Sequence, residues 1–129
     1  MIRLGTDIVY IPRIQAALER FGDRFLHRVY TATEQYDCGY AINSPSRPSI
    51  HQLAGRWAAK EAVTKALATG WRGINYTEIE IQRQMSGAPT VYLHGKAAAL
   101  VATWNNFSWQ LSLSHDRDYA IAVAILIYE

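Results

Sequence analysis

The sequence predicts an α+β fold: a single compact domain over residues 1–129, with an antiparallel sheet packed against helices, one of them long and central. Three observations lead there. An alternating run opens the chain, helical spacing dominates from residue 11 to residue 70, and a period of two returns after Glu78. A first strand, a block of helices and a late antiparallel group do not read as repeated strand–helix–strand units.

Ile2–Tyr10 reads as the first strand, with Ile2, Leu4 and Ile8 on one face and Asp7 on the other. Pro12 suits a first helical turn. Ile14, Ala17, Leu18 and Phe21 then recur at helical spacing before Gly22, a natural stop. Thr31-Ala-Thr-Glu34 and Ser49-Ile-His-Gln52 each match a capping box, in which a hydroxyl caps the helix and the later side chain reaches back. The stretch Asn43-Ser-Pro-Ser-Arg-Pro-Ser49 between them reads as a loop, and the helix opening after Ser49 is expected to run to about Ala68, with Gly70 as its stop. Ile79 and Ile81, then Val91 and Leu93, flank a Gly87-Ala-Pro89 turn and predict a hairpin. Lys96–Thr103 reads as a short alanine-rich helix. Phe107–Ser114 and Tyr119–Tyr128 read as two strands around Asp116-Arg-Asp118.

Half of the residues are hydrophobic and 19% are charged, as in an ordinary folded domain. A net charge of +2 gives no global field for nucleic acid, so an acidic partner has to be met by a local patch. Cys38 is the sole cysteine, which excludes an internal disulfide and cysteine-rich zinc sites and suits a reducing cytosol. Met1–Tyr10 contains Arg3 and Asp7 and lacks the apolar run of a signal peptide or membrane span. A cytoplasmic protein with no membrane partner is expected.

Within Leu53–Leu67, Trp57, Glu61, Thr64 and Lys65 share one helical face, and Ala59, Ala62, Val63 and Ala66 share the opposite one. The small-residue face is the expected core contact. Taken alone, Glu61 and Lys65 read as an i,i+4 ion pair, Asp7 as a turn former, and His115 as an ordinary histidine at a strand end. None of these residues is specific singly.

Taken together, Gly5-Thr-Asp-Ile-Val9, Leu53-Ala-Gly-Arg-Trp-Ala-Ala-Lys-Glu-Ala62 and Leu111-Ser-Leu-Ser-His115 resemble the holo-acyl-carrier-protein synthases, the short trimeric type of 4′-phosphopantetheinyl transferase. Order and spacing match from Ile2 to about Val123. The resemblance implies transfer of 4′-phosphopantetheine from coenzyme A to a serine of an acidic apo-acyl carrier protein. Adenosine 3′,5′-bisphosphate is released, and the product serves fatty acid biosynthesis. It also implies a homotrimer with shared active sites.

On this resemblance Asp7 and Glu61 hold Mg²⁺, in keeping with that ion's preference for one or two carboxylates plus phosphate oxygens. Lys65 and His115 act with them as catalytic residues that contact the coenzyme A phosphates, and Arg56, Gly87 and Pro89 join the coenzyme-binding set. Relatives often carry lysine between the glycine and proline of the hairpin turn; here that position is Ala88. Arg13, Arg20, Arg24 and Arg28 form the expected carrier-docking surface, and the general base stays open between metal-bound water, Glu61 and Asp7. Two other classes use the same residues: a metal-dependent phosphoester hydrolase, and a trimeric module that binds without catalysis.

Overall fold

The computed structural model describes residues 1–40 and 47–129. Positions 43–46 of the loop expected before Ser49 lie outside the described residues. The elements run β1 (Ile2–Tyr10), α1 (Ile11–Phe21), α2 (Asp23–Val29), α3 (Ala32–Asp37), α4 (Ile50–Leu67), a 3-10 turn (Tyr76–Glu78), β2 (Ile79–Arg83), β3 (Pro89–Leu93), α5 (Gly95–Val101), β4 (Ser108–Asp116) and β5 (Tyr119–Ile127). Strands β1, β5 and β4 form one antiparallel sheet in that order, and β2 and β3 form a separate hairpin.

Helix α4 lies across the inner face of the three-stranded sheet. Small side chains permit this: Ala58, Ala59, Ala62 and Ala66 on the helix and Ala120, Ala122 and Ala124 on β5 are all buried. Gly5 makes the closest approach, because a Cβ there would lie 1.8 Å from the Ala62 carbonyl oxygen. The inward residues of β1 are therefore Gly5, Asp7 and Val9. Ile2, Leu4 and Ile8 do share a face, but it is the outer one, and they are 69%, 62% and 63% exposed.

The capping box at Thr31 forms in full, with Glu34 N–H donating to the hydroxyl and Thr31 N–H to the Glu34 carboxylate. At Ser49 only half forms. Its hydroxyl accepts from Gln52 N–H, but its own N–H donates to Cys38 O, so the Gln52 side chain has nothing to reach back to. Helix α4 runs to Leu67, where expected, but its stop is Ala68, which adopts the left-handed conformation at φ 64°, rather than Gly70. Thr64 is buried rather than sharing the open face of Glu61 and Lys65. Helix α2 has no counterpart among the sequence-based elements; Gly22, at φ 57°, separates it from α1.

Candidate functional site

Asp7 lies inside β1 and faces α4. Lys65 Nζ reaches it, 3.2 Å from Asp7 Oδ1 and 2.9 Å from Thr6 O. The i,i+4 pair suggested by spacing is thus replaced by a tertiary pair, since a partner on the strand also offers a carbonyl oxygen. Glu61 belongs to the same cluster. Burial pushes its carboxyl above the ordinary value, and the Asp7 carboxylate adds to that shift. The Lys65 ammonium and the Trp71 indole N–H pull it back. The indole nitrogen is itself buried and makes no full hydrogen bond, so its effect on Glu61 acts at longer range.

Two half-buried carboxylates that repel one another beside a single ammonium make a hard-oxygen donor pair. Their chemistry fits Mg²⁺, which takes one or two carboxylates and fills its remaining positions with water and phosphate oxygens. No cluster of three or more potential metal-ligating side chains occurs among the described residues, so any such ion would rely on substrate oxygens.

The other expected site residues gather elsewhere. His115 lies in β4, two strands from Asp7, since Asp7 pairs with Ala122 and His115 with Ala120. Two strand spacings are about 10 Å. A cavity of about 270 Å³ brings His115 together with His51, Gln52, Arg56 and Arg83, and an adjoining one of about 190 Å³ adds Gly87 and Pro89. Arg56 is buried, with one guanidinium nitrogen 3.9 Å from the Asp37 carboxylate. Asp7, Glu61 and Lys65 line neither cavity. Within one chain the expected site is therefore two half-sites: a carboxylate–lysine cluster and a basic cavity.

The profile of the 4′-phosphopantetheinyl transferase superfamily matches residues 3–124. The chain belongs to that superfamily. A relative from Gloeobacter violaceus named holo-[acyl-carrier-protein] synthase is 54% identical over 125 residues, covering 97% of this chain and 92% of its own. One of the same name from Koribacter versatilis is 42% identical, covering 95% and 94%. Among solved structures, the Helicobacter pylori holo-[acyl-carrier-protein] synthase in complex with coenzyme A superposes with a TM-score of 0.80 at 30% identity, over 96% of this chain and 99% of that one.

The four arginines of the expected docking surface are all exposed. Arg24 and Arg28 border a groove of about 330 Å³ that also contains Phe21, Phe25, Trp57 and Tyr76. The apolar half of this groove was not legible in the sequence. Trp57 and Tyr76 stack at 5.1 Å, and Tyr76 packs on Trp71 at 4.0 Å, but only the fold brings these three segments together. Trp57 also lies one helical turn before Glu61, so the groove opens beside the carboxylate cluster.

Proposed function

We propose that this chain is a holo-acyl-carrier-protein synthase, transferring 4′-phosphopantetheine from coenzyme A to a serine of an apo-acyl carrier protein with Mg²⁺. The observation that carries the reading is the Asp7–Glu61–Lys65 cluster at the crossing of β1 and α4, in a chain whose near full-length relatives bear that name.

Asp7 and Glu61 would hold the ion, which when bound polarises the phosphoryl group and offsets charge on the departing bisphosphate. Lys65 contributes a point charge to the same phosphates. Trp57 and Tyr76 wall the groove beside Glu61 and would exclude water from the carrier serine as it approaches. Arg56 and His115, with the Gly87–Pro89 turn, form the basic cavity that would receive the nucleotide end of coenzyme A. Arg24 and Arg28 present positive charge at the groove, and Arg13 and Arg20 are exposed along α1, a distribution complementary to an acidic carrier.

The two half-sites lie on different parts of one chain, and this supports a trimer in which each active site draws on two copies. The outer sheet face supports it too. Ile2, Leu4 and Ile8 align by register with Ile127, Ile125 and Ile121, giving a continuous apolar surface. We read residues 1–129 as one such domain, acting in cytoplasmic fatty acid biosynthesis; among the described residues no helix is long and apolar enough to cross a membrane. Incubation with coenzyme A, Mg²⁺ and apo-carrier, followed by intact mass measurement, tests the reading. Gain of one phosphopantetheine on the carrier supports it. Cleavage of coenzyme A with the carrier unmodified supports a hydrolase instead, and intact coenzyme A a binding module.

A further inference from the structure

A tight reversal follows helix α4. Ala68, Gly70 and Gly73 all take positive φ, at 64°, 57° and 70°, and the segment they bend brings the chain back beside the helix it has just left. The Trp71 ring packs on Tyr76 at 4.0 Å, and Tyr76 stacks in turn on Trp57 at 5.1 Å. Trp57 belongs to α4, one turn before Glu61. The three rings therefore form a continuous stack beside the part of α4 that carries this carboxylate. Its field reaches them, because burial and then the Glu61 charge push the Tyr76 hydroxyl pKa up.

The Trp71 indole nitrogen is buried, and among the described residues nothing accepts from it at full hydrogen-bond geometry. An indole N–H can only donate, and a buried one ordinarily finds an acceptor. Glu61 is the carboxylate on which its pull is felt. Lys65 plays a different part, since its ammonium donates to Asp7 Oδ1 and Thr6 O and acts on Glu61 as a charge. A carboxylate carries about four lone-pair sites on two oxygens, so a donor at one oxygen leaves the other open to a cation. Outer hydrogen bonds of this kind orient carboxylates that bind metals, and their removal lowers metal affinity about 10–100-fold. We propose that Trp71 is a positioning residue for Glu61: its indole N–H, held by the packing of the ring on Tyr76, draws one carboxylate oxygen and leaves the other, with Asp7, for Mg²⁺. The inference rests on the reading of Asp7 and Glu61 as the ligands of the ion, and adds a residue that acts through Glu61 alone.

Two measurements test it, and the first needs neither ion nor turnover. In isotope-labelled protein the Trp71 indole N–H resonance is expected downfield in wild type and to move upfield in Glu61→Ala, which removes the acceptor. The resonances of Trp104 and Trp109 are expected to stay in place. A Trp71 resonance indifferent to Glu61→Ala overturns the proposal. Because this comparison keeps Trp71 in the chain, it decides the matter even where a Trp71 variant fails to fold. The second measurement is calorimetric Mg²⁺ titration in the presence of coenzyme A. Trp71→Phe keeps a ring against Tyr76 and removes the donor, and is expected to weaken Mg²⁺ binding about 10–100-fold. Unaltered Mg²⁺ affinity in a folded Trp71→Phe overturns the positioning role. If wild type binds Mg²⁺ yet leaves the carrier unmodified, the transferase reading falls while both measurements still decide the part played by Trp71. Absence of Mg²⁺ binding by wild type overturns both.

Discussion

Lys60 and Glu34 meet at 2.7 Å with neither side chain exposed, and the helix that carries Lys60 also carries Glu61. Lys60 Nζ donates further to the carbonyl oxygens of Tyr76 and Ile79, while Glu34 accepts from the backbone N–H groups of Thr31 and Ile81. Burial pushes the Lys60 ammonium pKa down, against the pull of Glu34. The pair ties α4 to α3 and β2 and fixes the rotation of α4 about its own axis. Lys60→Met is expected to cost about 3–5 kcal/mol in urea unfolding, because it strands a buried carboxylate. Glu34→Gln/Lys60→Met is expected to recover part of that loss, since glutamine is neutral and still accepts a backbone hydrogen bond.

Gly5→Ala is expected to destabilise by at least about 3 kcal/mol, the upper range for inserting volume into a packed core, because the added methyl meets the Ala62 carbonyl rather than a movable side chain. Separating β1 from α4 also separates Asp7 from Glu61. Thermal unfolding and the Mg²⁺ dependence of transfer are both expected to shift, and a normal Mg²⁺ dependence would contradict this coupling.

Most strands and helices were legible because local periodicity sets them, and Asp7, Glu61 and Lys65 were legible as motif residues. Which way each face turns was not. The alternation of β1 marks Ile2, Leu4 and Ile8 as a set, yet the glycine opposite them decides which side the helix occupies. Lys65 pairs with Asp7 across 58 positions of sequence, and the Ser49 cap loses its return bond to Cys38 O. The division into two half-sites depends on β5 lying between β1 and β4, an order that no local pattern encodes.

Glu61→Gln is expected to abolish Mg²⁺-dependent transfer while raising the melting temperature. The sign follows from the raised Glu61 pKa. A carboxyl whose pKa is higher folded than unfolded binds its proton more tightly in the native state, so stability falls as pH rises through that window. At neutral pH the ionised side chain is then a net cost, which glutamine removes. Mg²⁺ affinity is correspondingly expected to fall on acidification at a higher pH than for an unperturbed carboxylate. Thermal unfolding of wild type and Glu61→Gln checks the first statement, and calorimetric Mg²⁺ titration in the presence of coenzyme A, between pH 5 and 8, checks the second.

Ile8→Glu is expected to leave the chain folded and to dissociate the proposed trimer. Ile8 lies opposite Ile121 in the register, and both are exposed on the outer sheet face. Charge on an apolar interface costs desolvation in the assembly and nothing in the separated chain. Sedimentation velocity is expected to show a monomer with unaltered circular dichroism, and transfer is expected to fall with the assembly because each copy then has only half-sites. A fully active monomer would show that one chain completes the site alone.

Arg13→Glu is expected to slow modification of the carrier more than it alters affinity for coenzyme A. Arg13 is exposed in the first turn of α1, six residues after Asp7, so the helix start lies near the carboxylate cluster. Arg20 and Arg24 are exposed farther along and are expected to matter less. A rim charge acts mainly on encounter rate, and screening over a Debye length of about 8 Å at physiological ionic strength blunts its advantage. The deficit of Arg13→Glu in kcat/KM for the carrier is therefore expected to be largest at low salt and to shrink as salt rises, with KM for coenzyme A nearly constant. Identical carrier kinetics for wild type and Arg13→Glu at low ionic strength would move the docking surface away from the start of α1.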